Sequence, residues 1–424
     1  MTDSLVSSFP TRTTMTTSST SPCITIADIE QAQGRLAGSI YLTPCAHSQT
    51  LSRLTGQQIY LKLENLQMTG AFKERGALNK LATLSADEAG RGVIAASAGN
   101  HAQAVAFHAS RLGIKAHIVM PEPTPLVKVM ATRNYGGQVI LHGVNYDEAH
   151  AEAMRLHEEN GYTFVHPFDD PAVIAGQGTI GLELLEQVPG LEAVVVPIGG
   201  GGLIGGVACA IKERKPGVRV IGVQTARLPS MSVALARHRP VTIEPATTVA
   251  DGIAVRRAGD LTLPLVERYV DEIVTVEEED IASAILVLLE REKTLAEGAG
   301  AAALAALLQG KAKLNGHHTA VLVCGGNIDV TLLARIIERG LVKDGRMVRL
   351  RIHLLDRPGS LHELTRIIAK HRANIVELLF DRAYYGVNLG ETVIDVTFET
   401  RGLDQVHQLL AALTANGYKH ELVR

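Results

Sequence analysis

The sequence predicts an α/β protein built on a mostly parallel sheet and followed by a smaller α+β unit. Two observations carry that expectation. From Ile24 onward, segments rich in Val and Ile alternate with helical patterns, the mark of repeated βα units. Beyond a short polar stretch at Lys343-Asp344-Gly345-Arg346 the order becomes strand, helix, strand, strand, helix, strand, the split-βαβ plan. A chain of 424 residues is also too long for one ordinary core, which suggests two or three domains.

Taken in order, residues 1–22 are crowded with Ser and Thr, hold only Arg12 as a basic residue and lack an apolar h-region, so a disordered tail is expected rather than a secretory signal. Strands are expected at Ile59–Leu63, Val93–Ala96, His117–Met120, Val139–His142, Ala193–Ile198, Arg219–Val223 and Ala320–Val323. Helices are expected from Ala104 through Leu112, at Asp147–Glu159, Ile180–Gln187, Leu203–Lys212 and Val330–Arg339. In the second unit, residues 347–424, strands are expected at Met347–Leu354, Asn374–Phe380, Glu391–Phe398 and Tyr418–Val423, with helices at Ser360–Lys370 and Leu403–Leu413.

Composition narrows the function classes. Hydrophobic residues at 46% and charged residues at 20% describe a globular chain, and a net charge of −3 argues against a nucleic-acid binder. Cys23, Cys45, Cys209 and Cys324 show neither metal nor disulfide spacing, so a reducing, cytoplasmic setting is expected. No apolar run approaches the length of a membrane span.

Four motifs carry the chemistry. Thr69-Gly70-Ala71-Phe72-Lys73-Glu74-Arg75-Gly76-Ala77 sets one lysine among small residues just after a strand, a candidate covalent anchor for an aldehyde; a solvated lysine is the ordinary alternative. Ser97-Ala98-Gly99-Asn100-His101 lies at a strand-to-helix corner, whose free amides and partial positive charge suit a carboxylate; a capping serine and a turn asparagine are the alternative. Gly199-Gly200-Gly201-Gly202 opens a helix after an apolar strand, which lets the backbone approach an anion. It is no nucleotide P-loop, since no Gly-Lys-Ser/Thr follows. Cys324, in Val321-Leu322-Val323-Cys324-Gly325-Gly326-Asn327, ends a buried strand at a glycine turn, with Glu297-Gly298-Ala299-Gly300 shortly before; a small buried hydrophobe is its usual fate.

These motifs, in this order over about residues 23–340 of a catalytic domain expected at 23–343, resemble the fold-type II pyridoxal-phosphate enzymes, the threonine ammonia-lyase (threonine dehydratase) group in particular. The resemblance implies a two-lobed catalytic domain like that of tryptophan synthase β, with a smaller lobe at about 65–160 able to close over the larger. It implies pyridoxal 5'-phosphate as cofactor, with Lys73 as its Schiff-base lysine, Phe72 beside the ring and Asn100 at the phenolic oxygen. Gly199, Gly200, Gly201 and Gly202 would cradle the phosphate, and Cys324 would face the pyridine nitrogen. Ser97, Gly99, Asn100, His101 and Glu297 would surround the substrate, with a packed helix position as the competing role for His101. The reaction implied is loss of water and ammonia from L-threonine, and from L-serine less well, with Lys73 removing the Cα proton and the cofactor phosphate acting as the acid for the leaving hydroxyl. Racemase or hydroxyaspartate lyase chemistry on the same scaffold, and a catalytically silent sensor, are the alternatives.

Two departures stand out. Ala71 replaces a serine common in the family, and Gln224-Thr225-Ala226-Arg227 lacks the acids that relatives use to bind a cation, so no metal is expected. Asp356-Arg357-Pro358-Gly359-Ser360-Leu361, at the first strand-to-helix turn of the second unit, resembles an ACT regulatory domain of ferredoxin-like plan. That resemblance places an amino-acid effector near Asp356, Pro358, Gly359 and Leu361, and implies control in isoleucine biosynthesis or threonine catabolism. Pairing into a homodimer or homotetramer is expected by analogy.

Overall fold

The computed structural model describes residues 23–312, 314, 318–381, 388 and 390–423; the Ser/Thr-rich tail lies outside the described residues. A six-stranded sheet forms the centre of the larger lobe, in the spatial order Cys45–Ser48, Gln58–Leu63, His318–Val323, Ala193–Pro197, Arg219–Thr225 and Glu272–Val276. Every neighbouring pair is parallel except the first, which is antiparallel. The central strands bury both faces, which is why Ala193–Pro197 reads as an unbroken apolar run rather than an alternating one.

The smaller lobe holds a parallel four-stranded sheet in the order Gln138–Leu141, Ala116–Met120, Val93–Ala96 and Thr163–Phe164. Its two faces belong to separate cores: Val93, Ala95, Ile118 and Met120 on one side, Ile94, Ala96 and Val119 on the other. The period of two along each strand decides which residue joins which core.

The C-terminal sheet is antiparallel, in the order Asn374–Asp381, Glu391–Glu399, Met347–Leu355 and His420–Leu422. Val348, Leu350, Ile352 and Leu354 are its buried set on the first strand and share a core with Leu364, Ile368, Leu409 and Leu413 of the two helices. One face is therefore covered by helices, as the clean alternation of Met347–Leu355 requires. In the connector, Arg346 reaches Glu290 at 2.6 Å and its carbonyl accepts the Thr400 amide at 2.9 Å, while Lys343, at the end of the preceding helix, reaches Ser283 at 3.1 Å.

Many element ends differ from the sequence expectation by one to four residues, and three differences bear on the architecture. The helix expected at Ile180–Gln187 begins at Pro171, because Asp170 caps it by accepting the amides of Ala172 and Val173, and close packing overrides the glycines at 176 and 178. The helix from Val330 continues to Lys343, which shortens the polar connector, and the last strand spans only His420–Leu422. Among the described residues no helix is long and apolar enough to cross a membrane.

Candidate active site

All four motifs lie just past the carboxyl ends of parallel strands, where ligands sit in open α/β sheets. After Gln58–Leu63 the chain makes a single 3-10 turn and turns again at Gly70, whose φ of +75° favours glycine, before Lys73 opens the helix Lys73–Ala82. The Phe72 amide donates to the Cys324 carbonyl at 3.0 Å, and the Gly326 amide to the Gly70 carbonyl at 2.9 Å. Backbone pairing thus brings Lys73 and Cys324 together from opposite ends of the lobe's sequence. The Lys73 amine lies 5.2 Å from the Phe72 ring centroid and donates to the Pro167 carbonyl at 2.6 Å. Burial lowers its pKa to about 8, against the opposing pull of Cys324 and Glu297, so a usable fraction of the amine is neutral near pH 7. Cys324 is buried, and burial followed by the nearby Glu297 pushes its thiol well above the ordinary value.

At the second corner, Gly99 is the N-cap of the helix Asn100–Arg111 and no side chain caps it; the Ser97 hydroxyl instead accepts the Gly99 amide at 3.2 Å. A Cβ added at Gly99 would meet nothing within 4 Å, so the corner faces open space. Asn100 is locked from both ends, donating to Glu297 Oε1 at 2.7 Å and accepting from Asn327 Nδ2 at 2.8 Å. The same Asn327 nitrogen donates to the Thr69 carbonyl at 2.7 Å. Burial, then Asp251, raises the Glu297 carboxyl to about 7, with Asn100 opposing. His101 is packed, 3% exposed, with its Nε2 meeting the Val165 carbonyl at 2.8 Å and its buried Nδ1 without a partner among the described residues; burial and Lys73 lower its pKa to about 3. A neutral ring brings no charge to a carboxylate.

The third corner is Gly199–Gly202, ahead of the helix Gly202–Arg214. The Gly200 carbonyl is claimed by Thr262 Oγ1 at 2.6 Å and by the Gly259 amide at 3.2 Å, whereas the amides of Gly199, Gly200 and Gly201 donate to no group among the described residues. A Cβ at Gly200 would come within 2.4 Å of the Phe168 ring, and one at Gly202 within 2.5 Å of the Phe168 carbonyl oxygen, so only glycine fits at either position without a shift.

Residues 36–325 match the family model described as pyridoxal-phosphate dependent enzyme. The chain belongs to that family. It is 52% identical over 400 residues to the L-threonine ammonia-lyase of Thermotoga maritima, covering 94% of this chain and 100% of that protein. The crystal structure of a threonine deaminase from T.th. superposes with a TM-score of 0.69 at 42% identity, covering 72% of this chain and 99% of that one. Maize serine racemase gives 0.71 at 35% identity, over 76% and 99%.

The residues present fit the cofactor of this pyridoxal-phosphate dependent family. A helix start with three unclaimed amides suits a phosphate, and a partly neutral amine suits an aldehyde. Among the described residues no group of three or more His, Cys, Asp or Glu side chains could hold a metal ion.

Sequence reasoning assigned no role to Asn327, Pro167 or Phe168, because single residues in turns carry no periodic signal. It also missed the buried ion network beneath Lys73. There Arg75 bonds Glu64 through two nitrogens at 2.8 Å each and Glu183 at 2.5 and 2.9 Å, while Lys62 reaches Glu183 at 2.5 Å. The signal was present: Lys62 and Glu64 interrupt an otherwise apolar strand end, and Arg75 stands two positions beyond the lysine.

Proposed function

We propose that this protein converts L-threonine to 2-oxobutanoate and ammonia, with L-serine to pyruvate as a slower reaction. The observation that carries the reading is the Lys73 amine, lowered to about 8 and set among the Asn100 helix start, the unclaimed glycine amides and Cys324. Full-length similarity to an L-threonine ammonia-lyase supports threonine as the substrate.

Pyridoxal phosphate, when bound, supplies a conjugated electron sink for the charge left at Cα. Lys73 would anchor the cofactor at its aldehyde carbon, and the amides of Gly199–Gly202 would receive its phosphate. Asn100, held by Glu297 and Asn327 with its orientation set in advance, would stand beside the ring. Cys324, as a neutral thiol, would face the pyridine nitrogen and could not give it a full proton. The amides of Ala98 and Asn100, unclaimed among the described residues, would receive the substrate carboxylate, and Lys73 Nζ, released from the aldehyde carbon as the substrate's amino group takes its place, takes the Cα proton. The β-hydroxyl departs with a proton as water, and water then replaces the amino group, giving the keto acid and ammonia.

The C-terminal unit is proposed as an ACT-type regulatory domain. A cleft of about 370 Å³, lined in part by Asp356, Pro358, Gly359 and Leu361, is where an amino-acid effector such as isoleucine would bind. Pairing of chains into a homodimer or homotetramer belongs to the same proposal.

The test is keto-acid release from L-threonine and L-serine by the cofactor-loaded protein, beside Lys73→Ala. Fast 2-oxobutanoate formation that vanishes in the variant supports the lyase. D-serine formation without keto acid turns the reading to a racemase.

A further inference from the structure

The turn at residues 166–170 carries none of the four motifs, yet it touches two of them, the lysine and the glycine loop. The Pro167 carbonyl receives Lys73 Nζ at 2.6 Å. Phe168 forms the floor of the glycine loop, close enough to forbid a Cβ on Gly200 or Gly202. The Asp169 carboxylate accepts the amides of Asp260, Leu261 and Thr262 at 2.9, 2.9 and 3.2 Å, and Thr262 in turn holds the Gly200 carbonyl. Asp170 caps the helix Pro171–Gln187 and pairs with Lys80 at 2.6 Å.

The imidazole of His166 closes this turn. Pro167 has no amide to offer, and the next two amides, those of Phe168 and Asp169, both donate to His166 Nδ1 at 3.2 and 2.7 Å. A nitrogen that accepts two bonds carries its lone pair, so the proton resides on Nε2 and the ring is neutral. Burial lowers the ring to about pKa 4, His150 and Lys73 reinforce this, and Asp170 opposes it. Phe168 stands edge-on to the imidazole, with centroids 4.7 Å apart.

We propose that His166 is a positioning residue, whose Nδ1 lone pair, by accepting the Phe168 and Asp169 amides, sets the Pro167 carbonyl against Lys73 and the Phe168 ring beneath the glycine loop. The inference rests on the reading of Lys73 and Gly199–Gly202 as the groups that hold the cofactor. Without that acceptor two amides lose their partner, the turn relaxes, and the amine and the loop lose their common support.

The chemistry of the side chain supplies the test. Asparagine places its Oδ1 two bonds from Cβ, where Nδ1 stands; glutamine places its oxygen one bond further, near the position of Nε2. Full-length His166→Asn, His166→Gln and His166→Leu are compared with the unaltered protein and Lys73→Ala. The measurements are pyridoxal-phosphate affinity from the absorbance of the Lys73-linked cofactor, the pH midpoint of that capture, and kcat and KM separately. His166→Gln and His166→Leu weaken cofactor binding by about tenfold or more, shift the capture midpoint, and lower kcat more than they raise KM. His166→Asn retains clearly more of each than His166→Gln. Equal behaviour of Asn and Gln overturns the proposal, as does unaltered capture in His166→Leu. Should the leucine variant fail to fold, the Asn and Gln pair decides alone. Retention of the Lys73-type absorbance in Lys73→Ala would instead overturn the reading on which this inference stands.

Discussion

Replacing Arg75 by methionine removes the guanidinium from the buried network and leaves the surroundings otherwise similar in volume. Arg75 is 1% exposed and Glu64 is fully buried. After the change Glu183 keeps Lys62 at 2.5 Å, but Glu64 keeps only neutral donors, the Thr43 hydroxyl at 2.5 Å and Gln67 Nε2 at 3.2 Å. One uncompensated buried carboxylate remains, which costs about 3–5 kcal/mol. In the unaltered protein burial pushes the Glu64 carboxyl up, yet the charge and hydrogen bonds of Arg75 bring it below its ordinary value. That group stabilises the fold above its unfolded pKa, and the contribution is lost as pH falls through the depressed folded value. In Arg75→Met burial prevails and the carboxyl is raised instead, so the cost is present at high pH and is relieved as pH falls below the raised value. Equilibrium urea unfolding at pH 8 and pH 5 measures the gap between the two proteins, which is widest at pH 8. Adding Glu64→Gln, which removes the stranded charge, recovers roughly half of the loss at pH 8. A gap under about 1 kcal/mol, or one equal at both pH values, would refute the reasoning.

Four further outcomes are expected. Lys73→Ala lowers 2-oxobutanoate release by at least about a thousandfold, since the same amine anchors the cofactor and takes the proton. Capture of pyridoxal phosphate by the cofactor-free protein, followed by stopped-flow absorbance, quickens with rising pH and levels off above about 8, because only the neutral amine attacks; a rise continuing to pH 10 would contradict the lowered pKa. Gly200→Ala drives a methyl group into the Phe168 ring, costing about 1–3 kcal/mol, seen in titration as a cofactor dissociation constant higher by about tenfold or more. Gly359→Val places a β-branched residue at φ +94°, at the proposed effector cleft, so the response of activity to isoleucine weakens while turnover at saturating threonine holds; an unchanged response curve would remove the effector from that turn.

What the chain determined by itself is local and repetitive. Alternation and apolar runs placed the strands at Val93–Ala96 and Ala193–Pro197 and the whole C-terminal succession, because burial on one or both faces leaves a period in the residues themselves. Glycine clusters and a lysine among small residues marked the corners, since close backbone approach admits few side chains. Tertiary structure decided which corners meet and what supports them. Only the parallel pairing of Gln58–Leu63 with His318–Val323 sets Cys324 beside Lys73, more than two hundred positions away in the chain. Asn327, Pro167 and Phe168, and the ions of Arg75, Glu64, Glu183 and Lys62, act through contacts between distant segments, and a contact of that kind has no period to read. The helix from Pro171 makes the same point: its glycines argue against it locally, and burial along Val173–Leu184 outweighs them.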